Sequence, residues 1–270
     1  MGARVITITS GKGGVGKTTA TANLAVSLAT LNKKVVCVDA DIGLRNLDVV
    51  MGLENRIVYD LVDVVEGRCK LRQAMVKDKR VPDLYLLPAA QTRDKTAVSP
   101  QDMVALTDQL REDYDLILID SPAGIEWGFR NALAPADEVI VITNPEVSAV
   151  RDADRIIGLI EAEERRIPVS LMINRVKPEM VRRGDMLSVN DVMEILSIRL
   201  LGVVPEDQEI LISSNKGTPL TLEDHKTPAG EAFLNIARRV TGENVPLISL
   251  DQKGGVLRRL ARMFGSSDST

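Results

Sequence analysis

The residues best suited to chemistry stand near the N-terminus, in the segment Gly11-Lys12-Gly13-Gly14-Val15-Gly16-Lys17-Thr18. Its glycines allow several backbone N–H groups to converge on one anion, because no Cβ atom blocks the approach. In the pattern G-x-x-x-x-G-K-[ST], the lysine reaches the β- and γ-phosphates and the hydroxyl group ligates Mg²⁺. Lys17 and Thr18 fill these positions, and we expect Thr19, the next residue, to contact the nucleotide as well. The segment predicts a phosphate loop for ATP and Mg²⁺; an ordinary glycine-rich turn is the alternative.

Lys12 places a second cation inside this loop, although Lys17 already serves the phosphate charge. One interpretation is a surface lysine that simply faces water. The other is a catalytic lysine that completes an active site, including one in a facing subunit. There it would neutralise transition-state charge as an arginine finger does.

Acidic residues follow two aliphatic runs that read as strands. Asp120 follows the run Leu116–Ile119 and fits a Walker B acid, which holds Mg²⁺ through water; a strand-end cap is the alternative. Gly124, shortly after it, is placed to present its N–H group to the γ-phosphate. Asp39 and Asp41 end the second run, where one would stabilise metal-bound water and the other would orient the attacking water. For either of them alone, a turn-forming role is a fair rival.

The aliphatic runs alternate with longer helical patterns, which predicts an α/β fold. The predicted strands are Val5–Thr9, Val35–Asp39, Leu84–Pro88, Leu116–Asp120, Glu138–Thr143, Val169–Asn174 and Leu201–Val204. The predicted helices are Lys17–Leu31, Pro100–Arg111, Val147–Glu164, Val189–Ile195 and Pro228–Val240. This order predicts a doubly wound, mostly parallel sheet flanked by helices, with ligands at the carboxyl ends of the strands. We expect one P-loop domain over residues 1–250 and an appended segment over residues 251–270.

The composition limits the functional class. The chain has 270 residues, a net charge of −4 and only 3% aromatic residues, so its core must be aliphatic and no general nucleic-acid coat is indicated. Cys37 and Cys69 lie far apart, which favours a reducing cytosol over a disulfide framework. No window approaches the roughly 20 apolar residues that a spanning helix needs, so any membrane contact is expected to be peripheral.

The segment Lys253–Phe264 carries a separate pattern. On a helical wheel its apolar residues share one arc and its arginines the opposite arc; the residues concerned are Val256, Leu257, Leu260, Met263 and Phe264 on the first and Arg258, Arg259 and Arg262 on the second. A basic amphipathic helix of this kind is typical of segments that lie on anionic lipid. A terminal helix packed on its own domain is the alternative, and the residues alone leave both open.

Longer motifs bring a family resemblance. The loop GKGGVGKT with Lys12 in place, VDADIGLRNLDVVMG (38–52), IDSPAGIE (119–126), TNPEVSAVRDADRI (143–156), RRGDMLS (182–188) and GVVPED (202–207) occur in this order. Together they resemble the deviant Walker A (MinD/ParA) family of ATPases, and most closely its division-site branch. The similarity extends over nearly the whole chain, and motifs of this length are highly specific.

The resemblance implies roles for particular residues. Such ATPases dimerise face to face when ATP is bound, so Lys12 would contact the partner's nucleotide. Asp41 would orient the hydrolytic water, while Asp39 and Asp120 would serve the Mg²⁺ shell with Thr18 as the direct ligand. Further positions match the family's adenine region and its dimer face: Asn174, Pro205, Glu206 and Asp207 for the first, and Glu146 and Asp152 for the second. A strand-end cap remains a comparable explanation for Asn174.

The resemblance also implies partners and a location. It predicts an ATP-bound homodimer, a MinC-type division inhibitor, and a spatial regulator of the MinE type or a polar anchor. The protein would be cytoplasmic and peripheral on the cytoplasmic face of the cell membrane, held there by anionic lipid. A DNA-segregation ATPase shares the loop but needs a basic DNA-binding face, which the acidic balance argues against, so no specific nucleic acid is expected. An iron–sulfur carrier needs clustered cysteines, which the sequence lacks.

Overall fold

The computed structural model describes residues 2–223 and 227–247. The predictions for the segment 251–270, including the lipid-facing residues 256–264, lie outside the described residues. The division into a domain and an appended segment therefore stays a prediction. In the part of the chain that is described, no helix is both long enough and apolar enough to cross a bilayer.

One sheet of eight strands forms the centre of the domain, in the order β3-β4-β2-β5-β1-β6-β7-β8. All neighbouring strands are parallel except β3, which pairs antiparallel with β4. The strand bounds are β1 Arg4–Thr9, β2 Val35–Asp39, β3 Val76–Lys77, β4 Leu84–Leu87, β5 Leu116–Asp120, β6 Glu138–Thr143, β7 Val169–Val176 and β8 Arg199–Pro205.

Helices connect the strands. The α-helices are α1 Lys17–Thr30, α2 Leu47–Val50, α3 Leu61–Val65, α4 Leu71–Ala74, α5 Pro100–Leu110, α6 Trp127–Leu133, α7 Val147–Glu161, α8 Pro178–Arg183, α9 Val189–Leu196, α10 Gln208–Asn215, α11 Leu220–Glu223 and α12 Pro228–Val240. Single 3₁₀ turns occupy Glu54–Arg56 and Lys95–Ala97.

The two faces of the sheet are covered by different helices. Alternate strand residues point to opposite faces, so Ile6 and Ile8 of β1 pack in the cluster that contains α1 and α12. Val5 packs in the opposite cluster with residues of α3 and α5, and the β6 and β7 half of that face is covered by α7 and α9. The core is aliphatic, as the composition predicts, and both clusters hold Val, Ile, Leu and Ala as their main members.

The predicted fold class is confirmed: an α/β, doubly wound, mostly parallel sheet flanked by helices. The bounds of the predicted elements agree within two residues, except that α7 ends at Glu161 and not at Glu164. Strand β7 continues two residues beyond its predicted end, to Val176, past a register shift. The helix starts predicted at Pro100 and Val189 are also confirmed, and Ser99 and Ser188 are their N-cap residues. In each, the serine hydroxyl and a carboxylate three residues later bond the other residue's backbone N–H group.

The strand order explains where the site must lie. Strand β5 lies between β1 and β2, with Asp120 paired to Asp39 on one side and to Ile8 on the other. The segment after β1 therefore begins beside both carboxylates. Because parallel strands end at the same edge, this is where ligands bind in open α/β sheets.

Candidate active site

The glycine-rich segment forms a loop between β1 and α1. Gly14 and Gly16 have φ angles of +80° and +96°, a conformation that side chains rarely tolerate. Gly16 is the N-cap of α1, and no side chain caps this helix start. The first N–H groups of α1 therefore remain available to an anion, which the helix dipole also favours. The loop has the geometry of a phosphate site.

Lys17 lies inside this loop and is only 8% exposed. Burial lowers the pKa of its ammonium group, while the nearby carboxylates of Asp120 and Asp41 act against this and favour the charged form. A buried ammonium group between a phosphate loop and two acids matches the predicted role of the loop lysine.

Asp39 and Asp120 form a buried pair of carboxylates. Asp39 accepts hydrogen bonds from the N–H groups of Asp41 at 3.0 Å and of Asn46 and Leu47 at 3.2 Å. Burial, followed by repulsion from Asp120, raises the pKa of Asp39. Two carboxylates held together in a dry site favour the binding of a cation between or beside them.

Asp120 is also bonded to α1. The Thr21 hydroxyl donates to its Oδ1 atom at 3.2 Å. Burial raises the pKa of Asp120 and Asp41 adds to this, while a hydrogen bond with Thr18 and the charge of Lys17 act in the opposite direction. Thr18 and Asp120 are therefore neighbours, as a shared role at a metal requires.

The donor set fits Mg²⁺. This ion prefers oxygen ligands and keeps several of its own waters, so one hydroxyl and one or two carboxylates suffice. Thr18, Asp120 and Asp39 supply such oxygens. Asp41 adds a buried Oδ1 atom that has no hydrogen-bond partner in the part of the chain that the structure describes. Burial raises the pKa of Asp41, whereas Lys95 and Lys17 lower it.

Lys12 lies in a different environment from Lys17. Its side chain is 43% exposed, and its Nζ atom lies 3.1 Å from the Ser148 hydroxyl and 3.5 Å from a Glu146 carboxylate oxygen. Both partners stand at the start of α7. A surface lysine and a lysine that faces a partner subunit would both have an exposed side chain, so exposure does not distinguish the two interpretations. The contacts with α7 give the Lys12 ammonium group a defined position in this structure.

Helix α7 also meets the loop through backbone atoms. A Cβ atom added to Gly11 would lie 2.1 Å from the carbonyl oxygen of Asp152. Gly11 is therefore required by packing against α7, in addition to any contact with phosphate. Glu146 and Asp152, which the resemblance assigns to a dimer face, thus both lie beside the phosphate loop.

Asn174 contacts the loop from the end of β7. Its Nδ2 atom donates to the Val15 carbonyl oxygen at 2.8 Å, and a Cβ atom on Gly16 would lie 2.6 Å from the same nitrogen. Its Oδ1 atom is buried and has no hydrogen-bond partner among the described residues. The amide nitrogen of Asn174 thus supports the loop, while the amide oxygen stays free to accept from the amino group of a purine.

The segment Pro205–Asp207 begins at the last residue of β8, next to β7. The N–H group of Glu206 donates to the Val176 carbonyl oxygen, and Asp207 caps α10 by accepting from the Glu209 N–H group at 3.0 Å. The Asp207 carboxylate is therefore already used within the helix start. The contact of Asp207 with the base stays a prediction, and the backbone atoms of Asp207 are the groups that could make it.

A cleft of about 740 Å³ adjoins this region. It is lined by Glu146 on the α7 side, by Arg175 and Glu206 on the strand side, and by the segment 184–188. Arg175 has a φ angle of +56°, unusual for this residue type, at the register shift between β7 and β8. The RRGDMLS motif thus lies beside the site and not in a remote part of the fold.

Gly124 follows Asp120 and has a φ angle of +90°. Its N–H group donates to the Ser10 carbonyl oxygen at 3.2 Å. A contact between this N–H group and a γ-phosphate requires that the hydrogen bond to Ser10 open first. The predicted sensor role is therefore a role in a second conformation.

Two residues beside the site were not singled out from the sequence. Thr21 bonds Asp120, and Lys95 acts on the charge of Asp41 from the 3₁₀ turn after β4. Thr21 lies four residues after Lys17, one helical turn along α1, so the helical period was a signal that could have found it. Lys95 lies 54 positions from Asp41, and no local pattern links them.

These features define a P-loop ATPase of the deviant Walker A class. An AAA domain family model matches residues 3–173. The septum site-determining protein MinD of Bacillus subtilis is 55% identical over 262 residues, which cover 96% of this chain and 97% of that protein.

Solved structures agree. A MinC:MinD cell division protein complex from Aquifex aeolicus matches with a TM-score of 0.85 and 50% identity, over 92% of this chain and 99% of that one. The septum site-determining protein MinD of Pyrococcus horikoshii, complexed with Mg-ADP, matches with a TM-score of 0.79 and 30% identity, over 94% and 98%. The chain belongs to the MinD family of septum site-determining proteins.

Proposed function

We propose that this chain hydrolyses Mg-ATP, dimerises while ATP is bound, and associates with anionic membrane in that state. On the membrane it recruits a MinC-type inhibitor and so places the division septum, and hydrolysis releases it. A spatial regulator of the MinE type or a polar anchor sets its position. The relative from Aquifex, described as a complex of MinC and MinD, supports the choice of inhibitor.

The observation that carries the proposal is the contrast between two lysines of one loop. Lys17 is 8% exposed and lies with the acids of its own site. The Lys12 side chain is 43% exposed and is held at the surface by Glu146 and Ser148. A cation in this position is available to the nucleotide of a facing copy, and its exposed ion pair with Glu146 is weak enough to exchange.

The residues of the chain then divide the work. The loop N–H groups and Lys17 bind the β- and γ-phosphates, and Thr18 with Asp120 and Asp39 would hold Mg²⁺, which supplies charge neutralisation at the phosphates when bound. Asp41 orients the attacking water through its unpartnered Oδ1 atom. Lys12 of the facing copy adds positive charge where the transition state gains negative charge.

The tail provides the membrane step of the proposal. Its sequence combines five large apolar residues with three arginines over residues 256–264. A single segment of this kind binds anionic lipid only marginally, because ordering it costs about as much as its burial contributes. Two tails brought together by dimerisation bind with much greater avidity. ATP would thus control membrane residence through dimerisation.

The test compares Lys12→Ala with Lys34→Ala as a control. Lys34 precedes β2, at the end of that strand opposite to Asp39. Sedimentation velocity is measured with ADP and with a non-hydrolysable ATP analogue, and turnover is measured with Mg-ATP. We expect wild type and Lys34→Ala to dimerise with the analogue. Lys12→Ala should bind nucleotide yet remain monomeric, with turnover lower by a factor of about 10³ or more. Dimerisation of Lys12→Ala at the wild-type concentration would refute the assignment.

Liposome sedimentation tests the membrane step separately. The intact chain is compared with a chain truncated after Gly254, each with ATP, with ADP and without nucleotide. We expect only the intact chain with ATP to sediment with anionic vesicles. Equal binding with ATP and ADP would show that dimerisation does not control membrane residence, even if the Lys12 result holds.

A further inference from the structure

Two glycine turns pack directly against each other beside the active site. Gly52 follows α2 and Gly217 follows α10, with φ angles of +62° and +64°. A Cβ atom on Gly52 would lie 2.3 Å from the Gly217 carbonyl oxygen, and one on Gly217 would lie 2.7 Å from the Gly52 Cα atom. The two turns are therefore in backbone contact, which leaves no room for any side chain at either position.

Arg80 fastens this contact. Its guanidinium group donates to the Gly217 carbonyl oxygen at 3.0 Å and also to the Met51 carbonyl oxygen. The same group forms a bidentate salt bridge with the Asp78 carboxylate, with N···O distances of 3.0 and 2.7 Å. Asp78 is only 1% exposed, so it fixes the orientation of the guanidinium group and is not free to pair with solvent. One side chain thus joins the ends of two helices that are remote in sequence.

The first of these helices leads to the metal-binding acids. Helix α2 is short, and the Asp39 carboxylate accepts from the N–H groups at its start, Asn46 and Leu47. Met51, which caps its other end, is fully buried. The loop that carries Asp41 therefore runs from Asp39 to α2. Asp39 bonds the start of α2, and Arg80 bonds Met51 at its end.

The second helix, α10, leads to the segment that the resemblance assigns to adenine binding. Helix α10 begins directly after the segment Pro205–Asp207 and ends at the turn that contains Gly217. The following helix, α11, bonds α1: the Thr221 N–H group donates to Asn23 Oδ1 at 3.0 Å, and Asn23 Nδ2 donates to the Thr19 carbonyl oxygen at 2.8 Å. The Gly217 turn is thus anchored to the first turn of α1, next to the phosphate loop.

We infer that Arg80 is a positioning residue of the ATPase site, which holds the Asp39–Asp41 loop in register with the phosphate loop through its bonds to Met51 and Gly217. It acts through these carbonyl groups and touches neither nucleotide nor metal. The inference rests on the proposed hydrolysis of Mg-ATP. Small displacements of such a loop have large effects, because reacting groups must be placed within about 0.5 Å of the productive geometry.

The test uses Arg80→Met, Arg80→Lys and, as a matched control, Arg72→Met. Arg72 also pairs with an aspartate, Asp113 at 3.0 Å, but its side chain is 84% exposed. We expect Arg80→Met to lower kcat about tenfold or more and to raise the Mg²⁺ concentration for half-maximal rate, since supporting residues of metal sites typically have effects of this size. Arg80→Lys should recover part of the loss, and Arg72→Met should behave as wild type.

Gly217→Ala is the second variant, because Arg80→Met leaves the buried Asp78 carboxylate unpaired and can fail to fold. In Gly217→Ala the added Cβ atom separates the two turns while the Arg80 side chain is retained. We expect this variant to show the same rise in the Mg²⁺ concentration for half-maximal rate. A purely structural role predicts a lower Tm with unchanged kcat and Mg²⁺ dependence, and that result in both variants would overturn the inference.

Calorimetry separates this inference from the proposed function. The gain in affinity for a non-hydrolysable ATP analogue on adding Mg²⁺ is measured for wild type and for each variant, without turnover. If wild type binds Mg²⁺ and analogue together but hydrolyses no ATP, the proposed hydrolysis is wrong. A smaller Mg²⁺-dependent gain in Arg80→Met than in wild type still supports the positioning role, and an equal gain refutes it.

Discussion

Asn174 braces the phosphate loop from the end of β7, and replacing it with alanine isolates this contact. Its Nδ2 atom donates to the carbonyl oxygen of Val15 at 2.8 Å, and Val15 is only 2% exposed. Asn174→Ala removes the donor and leaves this carbonyl group without its partner in a place that water reaches poorly. The variant should weaken both the fold and the grip of the loop on phosphate.

The magnitude follows from the burial of the bond. Removing one partner of a buried hydrogen bond costs about 1–3 kcal/mol. At a central cost of about 2 kcal/mol, the Tm should fall by roughly 4–8 °C for a chain of this size. If the freed loop relaxes before the ligand binds, up to the same free energy opposes binding, which weakens affinity by a factor of up to about 30.

The assay separates the two ends of the Asn174 amide by using a ligand that has no base. Isothermal calorimetry with Mg²⁺ compares inorganic tripolyphosphate with a non-hydrolysable ATP analogue. Both affinities should fall, because the Nδ2 bond supports the loop for any polyphosphate. A larger fall for the ATP analogue measures the additional contact of the Oδ1 atom with adenine.

Asn131→Ala is the matched control. Asn131, in α6, also donates from its Nδ2 atom to a buried valine carbonyl oxygen, that of Val98 at 2.7 Å, and does not bond the phosphate loop. Because the Trp127 indole N–H group donates to the same oxygen at 3.0 Å, the Tm should fall less in Asn131→Ala than in Asn174→Ala. The control variant should lower the Tm and leave tripolyphosphate binding unchanged. If Asn174→Ala binds tripolyphosphate as tightly as wild type does, the bond to Val15 does not shape the loop and the argument is refuted.

Two further predictions concern packing and pH. Gly11→Ala should lower the Tm because its Cβ atom would lie 2.1 Å from the Asp152 carbonyl oxygen, whereas Gly13→Ala, where the nearest atom is 4.0 Å away, should leave the Tm of the nucleotide-free chain unchanged. Thermal melts without nucleotide decide, and equal behaviour of the two variants contradicts the packing argument. Burial alone would raise the pKa of Asp137, but its hydrogen bonds, chiefly from Arg111, lower it. The ionised Asp137 carboxylate therefore stabilises the fold above its unfolded pKa of about 3.9, and this stabilisation is lost as the pH falls towards the lower folded pKa. Urea titrations at about pH 6 and about pH 3 should show that the free energy of unfolding falls less in Asp137→Asn than in wild type. An equal loss in both chains would count against this role.

The local parts of the site could be predicted from the sequence. A strand, a glycine loop and a helix start are encoded within about 15 consecutive residues, and their physical requirements are local. The neighbourhood of Asp39 and Asp120 also follows, since both end aliphatic runs and parallel strands end at one edge. The pairing of their Cα atoms in β2 and β5 agrees with this expectation.

Contacts between distant segments could not be predicted. Asn174 and Val15 are 159 positions apart, and Arg80 and Gly217 are 137 apart. No period or motif in the sequence specifies such pairs, because they depend on how the crossover connections stack the layers. For Asn174 the resemblance implied a base contact, with a strand-end cap as the alternative, and the structure adds support of the phosphate loop as a third role.

The phosphate loop is held from both sides by contacts that restrict its backbone and leave one side chain free. On the α7 side, Gly11 meets the Asp152 carbonyl group with no space for a Cβ atom, and on the β7 side Asn174 bonds Val15. Lys12, by contrast, is held by the exposed side chains of Glu146 and Ser148. Its release from Glu146 therefore needs rotations about side-chain bonds and no change in the backbone of the loop. In the proposed dimerisation, the phosphate site would then be preorganised in the monomer, so the energy of binding a second copy would not be spent on reshaping it.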